Sequence, residues 1–95
     1  MKIRVLVVGA GGFGSGYVRA LTGKDYGAEL AGVVDVMPNV DVVCPEIRMH
    51  NIPVYRSISD FYKENNADLA ILASPIHLHT SMSVECMKNG SHVLC

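Results

Sequence analysis

Apolar positions along this chain fall into short runs separated by polar or glycine-rich turns, and two periods alternate. Residues 3–8 (Ile-Arg-Val-Leu-Val-Val) are apolar except for Arg4. An unbroken run of this kind predicts a strand covered on both faces, as in a parallel sheet. Glycines follow at positions 9, 11, 12, 14 and 16. Residues 13–21 then read as a helix, with Phe13, Tyr17, Ala20 and Leu21 at helical spacing and Gly23 as a stop. Residues 29–35 (Glu-Leu-Ala-Gly-Val-Val-Asp) form a second, mostly apolar strand.

Residues 36–50 carry the weakest pattern. Pro38 and Pro45 argue against one regular element across them, and only a short helical turn near 46–50 is expected. Residues 52–56 resemble a short strand that Pro53 confines to an edge or to its own start. Ser57 or Ser59 can cap a helix running through Asn65. Residues 67–73 make a third strongly apolar strand, broken by Ser74-Pro75. A helix over 77–88 follows, with Leu78, Met82 and Cys86 four apart on one face and Gly90 just past its end. His92-Val93-Leu94 begins one more strand. This alternation predicts an α/β fold, a parallel sheet with helices on its faces. No internal repeat or linker interrupts residues 1–95, which read as one domain.

Composition narrows the partners. Eight basic residues stand against nine acidic ones, for a net charge of −1. No basic patch offers itself to a polyanion, so no nucleic-acid partner is expected. No apolar run approaches the roughly 20 residues of a membrane span, so no membrane is expected either. The opening Met-Lys-Ile-Arg-Val-Leu has the charge order of a signal peptide, but its apolar part is shorter than the roughly 7–15 residues such a segment needs. Cys44, Cys86 and Cys95 show no Cys-x-x-Cys spacing and read as reduced thiols of a cytoplasmic protein.

Gly9-Ala10-Gly11-Gly12-Phe13-Gly14 matches G-x-G-x-x-G. Alone, such a hexapeptide is weak, and a tight turn needing glycine only for packing would explain it. Here it directly follows a buried-type strand and opens a helix, where a diphosphate site needs it. Gly9 permits the turn out of the strand, Gly11 lets the backbone approach a diphosphate, and Gly14 lets the helix pack on the sheet. Unpaired N–H groups at the helix start, presented by Gly12 and Phe13, would meet the phosphates. Asp35 lies 21 residues after Gly14, at the end of the second strand. A carboxylate there accepts hydrogen bonds from the adenosine ribose and repels a 2′-phosphate, which favours NAD while leaving NADP open. An ordinary solvated aspartate is the plainer alternative. Arg48 and Arg56 are too distant in sequence from Asp35 to suggest a 2′-phosphate clamp, although loops can bring such residues together. The fold expected is thus a Rossmann-type doubly wound parallel sheet.

Ser74-Pro75-Ile76-His77-Leu78-His79 sits at the carboxyl end of a central-type strand, where open α/β sheets bind ligands. Ser74 and Pro75 would then wall the nicotinamide ribose, with His79 nearby. A metal reading of His77 and His79 finds no third ligand, so no metal is expected. Both histidines are otherwise simply polar residues at a helix start.

Four segments together, 7–14, 30–35, 67–79 and 88–95, resemble in order and spacing the glucose–fructose oxidoreductase / inositol 2-dehydrogenase (Gfo/Idh/MocA) family. Ile52-Pro53-Val54-Tyr55, Ser57-Ile58 and Asp60-Phe61 also look like its third strand and following helix. The resemblance implies NAD(H) or NADP(H), hydride transfer at a carbinol of a sugar, inositol or related polyol, and a second α/β domain for the substrate. It puts Gly9, Gly11, Gly12, Phe13 and Gly14 along the diphosphate, Asp35 at the adenosine ribose, and Ser74, Pro75 and His79 along the nicotinamide. Ile76 stands where the family often has Asn. The family continues after a segment like 92–95 with Glu-Lys-Pro, whose lysine polarises the substrate hydroxyl. On that reading the chain is a fragment without an assignable catalytic residue, its sheet incomplete and its substrate domain absent. Its open edge strand would favour a homo-oligomer. A non-catalytic NAD- or CoA-binding regulatory module is the competing expectation, because fold alone does not separate the two.

Overall fold

The computed structural model describes residues 3–11, 14–23, 27–73 and 79–94. The elements are β1 (Ile3–Val8), α1 (Gly14–Gly23), β2 (Ala28–Val34), α2 (Val40–Val43), α3 (Glu46–Met49), β3 (Val54–Tyr55), α4 (Ile58–Glu64), β4 (Leu69–Leu72), α5 (His79–Lys88) and β5 (His92–Leu94). The five strands form one sheet in the order β3-β2-β1-β4-β5, and all four pairings are parallel. The chain winds outward from β1 to β3, then returns to the other side of β1 for β4. That reversal between β1 and β4 is the point at which doubly wound sheets open a ligand crevice.

Strand alternation divides the core in two. Val5 and Val7 point to one face, where they meet Val18 of α1, Val40 of α2 and Ile47 of α3. Leu6 and Val8 point to the other, toward Ile58 and Phe61 of α4 and Cys86 of α5. All four β1 residues are buried, which explains why the strand reads as a continuous apolar run rather than an alternating one. The β1–β2 ladder slips once, pairing Val5 with Leu30 and then Leu6 with Gly32. Gly32 has a packing reason to be glycine. A Cβ there would stand 2.9 Å from Cε1 of Phe61, whose ring lies edge-on to Tyr55 and Tyr62 with centroids 5.3 and 5.0 Å away.

Residues 36–50, where no single regular element was expected, hold two single-turn helices. Pro45 stands at the start of α3 with φ −61°, a value already helical, so it ends one element and opens the next. The turn expected near 46–50 is α3, whereas α2, which buries Val40, was not expected from sequence. Ser57, not Ser59, caps α4: its side chain accepts from the Asp60 N–H at 3.1 Å. β3 is a two-residue edge strand, and the Pro53 carbonyl accepts from Val33 N–H at 3.0 Å. Past α5, Gly90 takes φ +90°, and Ser91 N–H returns to the Cys86 carbonyl at 3.1 Å to close the helix end. No helix among the described residues is long and apolar enough to cross a membrane.

Candidate functional site

The carboxyl ends of β1, β2 and β4 converge at the reversal of strand order. Gly9 N–H bonds the Val34 carbonyl at 2.8 Å, and Ala73 N–H bonds the Val8 carbonyl at 2.8 Å. These two bonds hold the three strand ends level, so residues leaving them share one rim. Gly9 leaves β1 with φ +91°, a left-handed turn that costs other residues roughly 1–2 kcal/mol. Gly14 then begins α1 close against that turn. A Cβ on Gly14 would lie 2.4 Å from the Gly9 carbonyl oxygen and 3.1 Å from Cγ1 of Val7, so this glycine is a matter of backbone approach.

Asp35 leaves β2 into the same rim. Its Oδ2 accepts the Gly11 N–H at 2.9 Å, and its Oδ1 accepts the Met37 N–H at 2.9 Å. The carboxylate therefore ties the glycine turn to the loop after β2. A carboxylate offers about four lone-pair sites. Among the described residues two are used, one on each oxygen, which leaves a second site on each for a hydroxyl. Gly11 faces this carboxylate directly: a Cβ there would meet Cε of Met37 at 2.8 Å and Oδ2 of Asp35 at 3.3 Å. A larger side chain would displace the flexible Met37 thioether and crowd the Asp35 Oδ2 that accepts the Gly11 N–H.

A cleft of about 680 Å³ opens beside these groups, within the usual range for cofactor sites of about 300–1,000 Å³. Val8, Gly9 and Gly11 line it from the β1 side, and Val34, Asp35 and Met37 from the β2 side. Its far wall comes from Arg56 to Ile58 at the start of α4 and from Met82 and Glu85 of α5. Most of this wall is apolar, with Asp35, Arg56 and Glu85 as its charged members. The arrangement suits a ligand with an apolar, flat portion and a diol: the wall covers the first, and Asp35 takes the second.

Of the residues singled out from sequence, Gly9, Gly11 and Asp35 share the cleft, and Gly14 packs behind it. Gly12, Phe13, Ser74 and Pro75 lie outside the described residues, and His79 is the first residue of α5. Met37 and Glu85 were not foreseen, and Arg56 was too distant in sequence from Asp35 to be expected beside it except through a loop. Met82 had a signal, but as a core residue of α5, and it serves both the core and the cleft wall. Arg48 and Arg56 separate clearly: Arg48 pairs with Asp41 at 2.8 Å, whereas Arg56 reaches the cleft.

Tyr62, Cys44 and Cys86, which lie outside the cleft, serve packing. The Tyr62 hydroxyl lies 2.5 Å from Ser91 Oγ, which itself donates to the Ala67 carbonyl at 2.7 Å. Burial pushes the Tyr62 phenol up to about 12, against the opposing pull of Ser91. Burial and the neighbouring Glu46 carboxylate push the Cys44 thiol up as well, which makes it a poor nucleophile. Cys86 is likewise buried and in no disulfide. Among the described residues, no three His, Cys, Asp or Glu side chains gather as a metal site would require.

Comparison with known proteins agrees with this geometry. The sequence pattern of the Gfo/Idh/MocA group, described as an oxidoreductase family with a NAD-binding Rossmann fold, matches residues 3–95. Inositol 2-dehydrogenase 1 of Saccharopolyspora erythraea is 33% identical over 100 residues, a match covering 100% of this chain and 28% of that protein. The WlbA dehydrogenase of Chromobacterium violaceum, solved with NADH and UDP-GlcNAcA, superposes with a TM-score of 0.83 at 32% identity, over 97% of this chain and 26% of that one. A scyllo-inositol dehydrogenase of Lactobacillus casei, solved with NAD(H) and scyllo-inositol, superposes at 0.85 over 98% of this chain and 27% of that one; at 20% identity this likeness speaks for the fold alone. The chain thus spans little more than a quarter of the length of these relatives. A glycine turn closed by an acidic residue at the reversal point of a 3-2-1-4-5 parallel sheet, together with a family match over nearly every residue, shows that this chain belongs to the Gfo/Idh/MocA oxidoreductase family and has its NAD-binding Rossmann fold.

Proposed function

We propose that residues 1–95 form the amino-terminal, dinucleotide-holding part of a NAD(H)-dependent dehydrogenase that acts on a carbinol of inositol, a sugar or a related polyol. The observation that carries this is the Asp35 carboxylate, pinned by Gly11 and Met37 N–H groups at the mouth of the cleft with one acceptor site per oxygen to spare. When bound, the nicotinamide cofactor supplies the hydride chemistry. This chain's residues hold and orient it. Asp35 receives the adenosine ribose hydroxyls. Gly9 turns the chain out of β1, and Gly14 lets α1 start close to the sheet, so that Gly12 and Phe13 offer N–H groups to the diphosphate. Gly11 gives its own N–H to Asp35, so its part is to position the carboxylate and leave room for the diphosphate. Ser74, Pro75 and His79 are assigned to the nicotinamide side because they follow β4 in the sequence, and open α/β sheets bind ligands past the carboxyl ends of their strands.

The acid–base group and the substrate-holding domain are assigned to the remainder of a longer polypeptide, in line with the quarter-length match to full dehydrogenases. A cytoplasmic location is assigned on the two buried free thiols.

The test is a calorimetric titration of the intact protein with NADH, beside a Gly11→Val variant whose fold is checked by circular dichroism. Wild-type binding and a loss of at least about tenfold in the variant, roughly 1.4 kcal/mol, would support the reading. Equal binding by both proteins would remove the glycine turn from the cofactor site.

A further inference from the structure

The arginines of the described residues divide into two kinds. Arg4 pairs with Glu29 at 2.9 Å, Arg19 with Glu46 at 3.4 Å and Arg48 with Asp41 at 2.8 Å. Arg56 alone among them has neither an ion pair nor a side-chain hydrogen bond, and it is the arginine that lines the cleft with Asp35. Backbone pairing holds it there. Asp35 N–H bonds the Tyr55 carbonyl at 3.0 Å, so the chain enters Arg56 directly beside the residue that would take the ribose.

From this placement we infer that Arg56 is a specificity residue, which lets the site accept a 2′-phosphorylated dinucleotide as a second, weaker cofactor beside NAD(H). The inference rests on the dinucleotide reading above and deepens it. A 2′-phosphate would sit where Asp35 faces the ribose, and a bare carboxylate repels it. Two features soften that repulsion here. Gly11 and Met37 N–H dipoles point at the Asp35 oxygens and offset part of their charge. Arg56 then brings a guanidinium with five unused donors, in the fork geometry that suits a phosphate. Asp35 and Glu85 still leave the charged groups of the cleft with one net negative charge, so NADH stays preferred. Arg56 sets how large that preference is.

The experiment titrates the intact protein and its Arg56→Ala and Arg56→Lys variants with NADH and with NADPH, at low salt and at about 0.5 M salt. Arg56 is exposed, so its removal leaves the melting temperature as a control of folding. The expected result is NADPH binding weakened about tenfold in Arg56→Ala, NADH binding within about twofold of wild type, and partial recovery in Arg56→Lys. High salt should shrink the wild-type advantage for NADPH over the alanine variant, because exposed charge pairs are screened. An equal loss for both cofactors would place Arg56 on the part they share, such as the adenine face, and overturn the inference. No change for either would overturn it too. Failure of wild type to bind NADH would instead bring down the dinucleotide reading itself, and this inference with it.

Discussion

The two ends of the sheet spend their polar groups differently. At the amino end, the Arg4 guanidinium reaches Glu29 at 2.9 Å, the Asn66 carbonyl at 3.1 Å and the Asn66 side chain at 3.0 Å, and it also bonds Asn65. Arg4 N–H goes to the Asp68 carboxylate at 2.9 Å, and Asn65 donates to the Ala31 carbonyl at 3.2 Å. These groups bond each other and brace β1, β2 and the turn before β4. At the carboxyl end, Asp35 keeps half its acceptor sites, Arg56 has no partner among the described residues, and a cleft stands open beside them. The lesson is that side chains of the same type read as structure or as function according to whether their bonding capacity is already used.

The largest effect expected on this contrast comes from Gly14→Val. The added carbons would drive into the Gly9 backbone, and stability should fall by about 3 kcal/mol, seen as a lower urea midpoint at unchanged slope. The open end would then depend on close backbone packing as strictly as the core does. A change under about 0.5 kcal/mol would show that α1 can shift freely.

A crossed pair of variants sharpens the contrast further. Arg4→Met should lower stability by about 1–2 kcal/mol and leave NADH affinity within about twofold, because all its partners lie at the amino end. Asp35→Ala should do the reverse for binding, weakening NADH by about tenfold or more, with a smaller stability loss than Arg4→Met. Measured together by chemical unfolding and calorimetry, equal patterns in the two variants would erase the distinction between the ends.

The smallest effect concerns Tyr62, which belongs to the braced half. Its pKa is raised to about 12 in the folded protein, so the unfolded chain releases this proton first as pH rises. Its contribution to stability is therefore whole below about pH 10 and is lost between about pH 10 and 12. Tyr62→Phe should flatten that alkaline loss and cost about 1 kcal/mol at neutral pH through the missing bond to Ser91. An unchanged alkaline profile in thermal melts would mean that another group controls it.

Local chemistry made much of the fold legible. β1 matched its apolar run residue for residue, and α4, β4 and α5 fell within a few residues of their patterns. Each carries a signal contained within its own window: an unbroken apolar run, a capping serine, a helix-ending glycine. Residues 36–50 lacked one. Val40 and Ile47 become core residues only because α1 and the sheet lie opposite them, and nothing within four-residue helices announces that. Gly32 was silent for a similar reason, since its constraint is the Phe61 ring, far along the chain.

The glycine turn and Asp35 were readable because their chemistry is set by short-range order: a strand, a turn without side chains, a helix start, then an acid at the next strand's end. Sequence by itself therefore determined the parallel α/β architecture, the family and the pairing of a glycine turn with Asp35 at one cleft. Tertiary structure alone decided that Asp35 is clamped by the Gly11 and Met37 N–H groups, and that Arg56 rather than Arg48 stands at the cleft. Those outcomes depend on which strands pair and on which partner reaches a charge first, and neither quantity is contained in spacing along the chain.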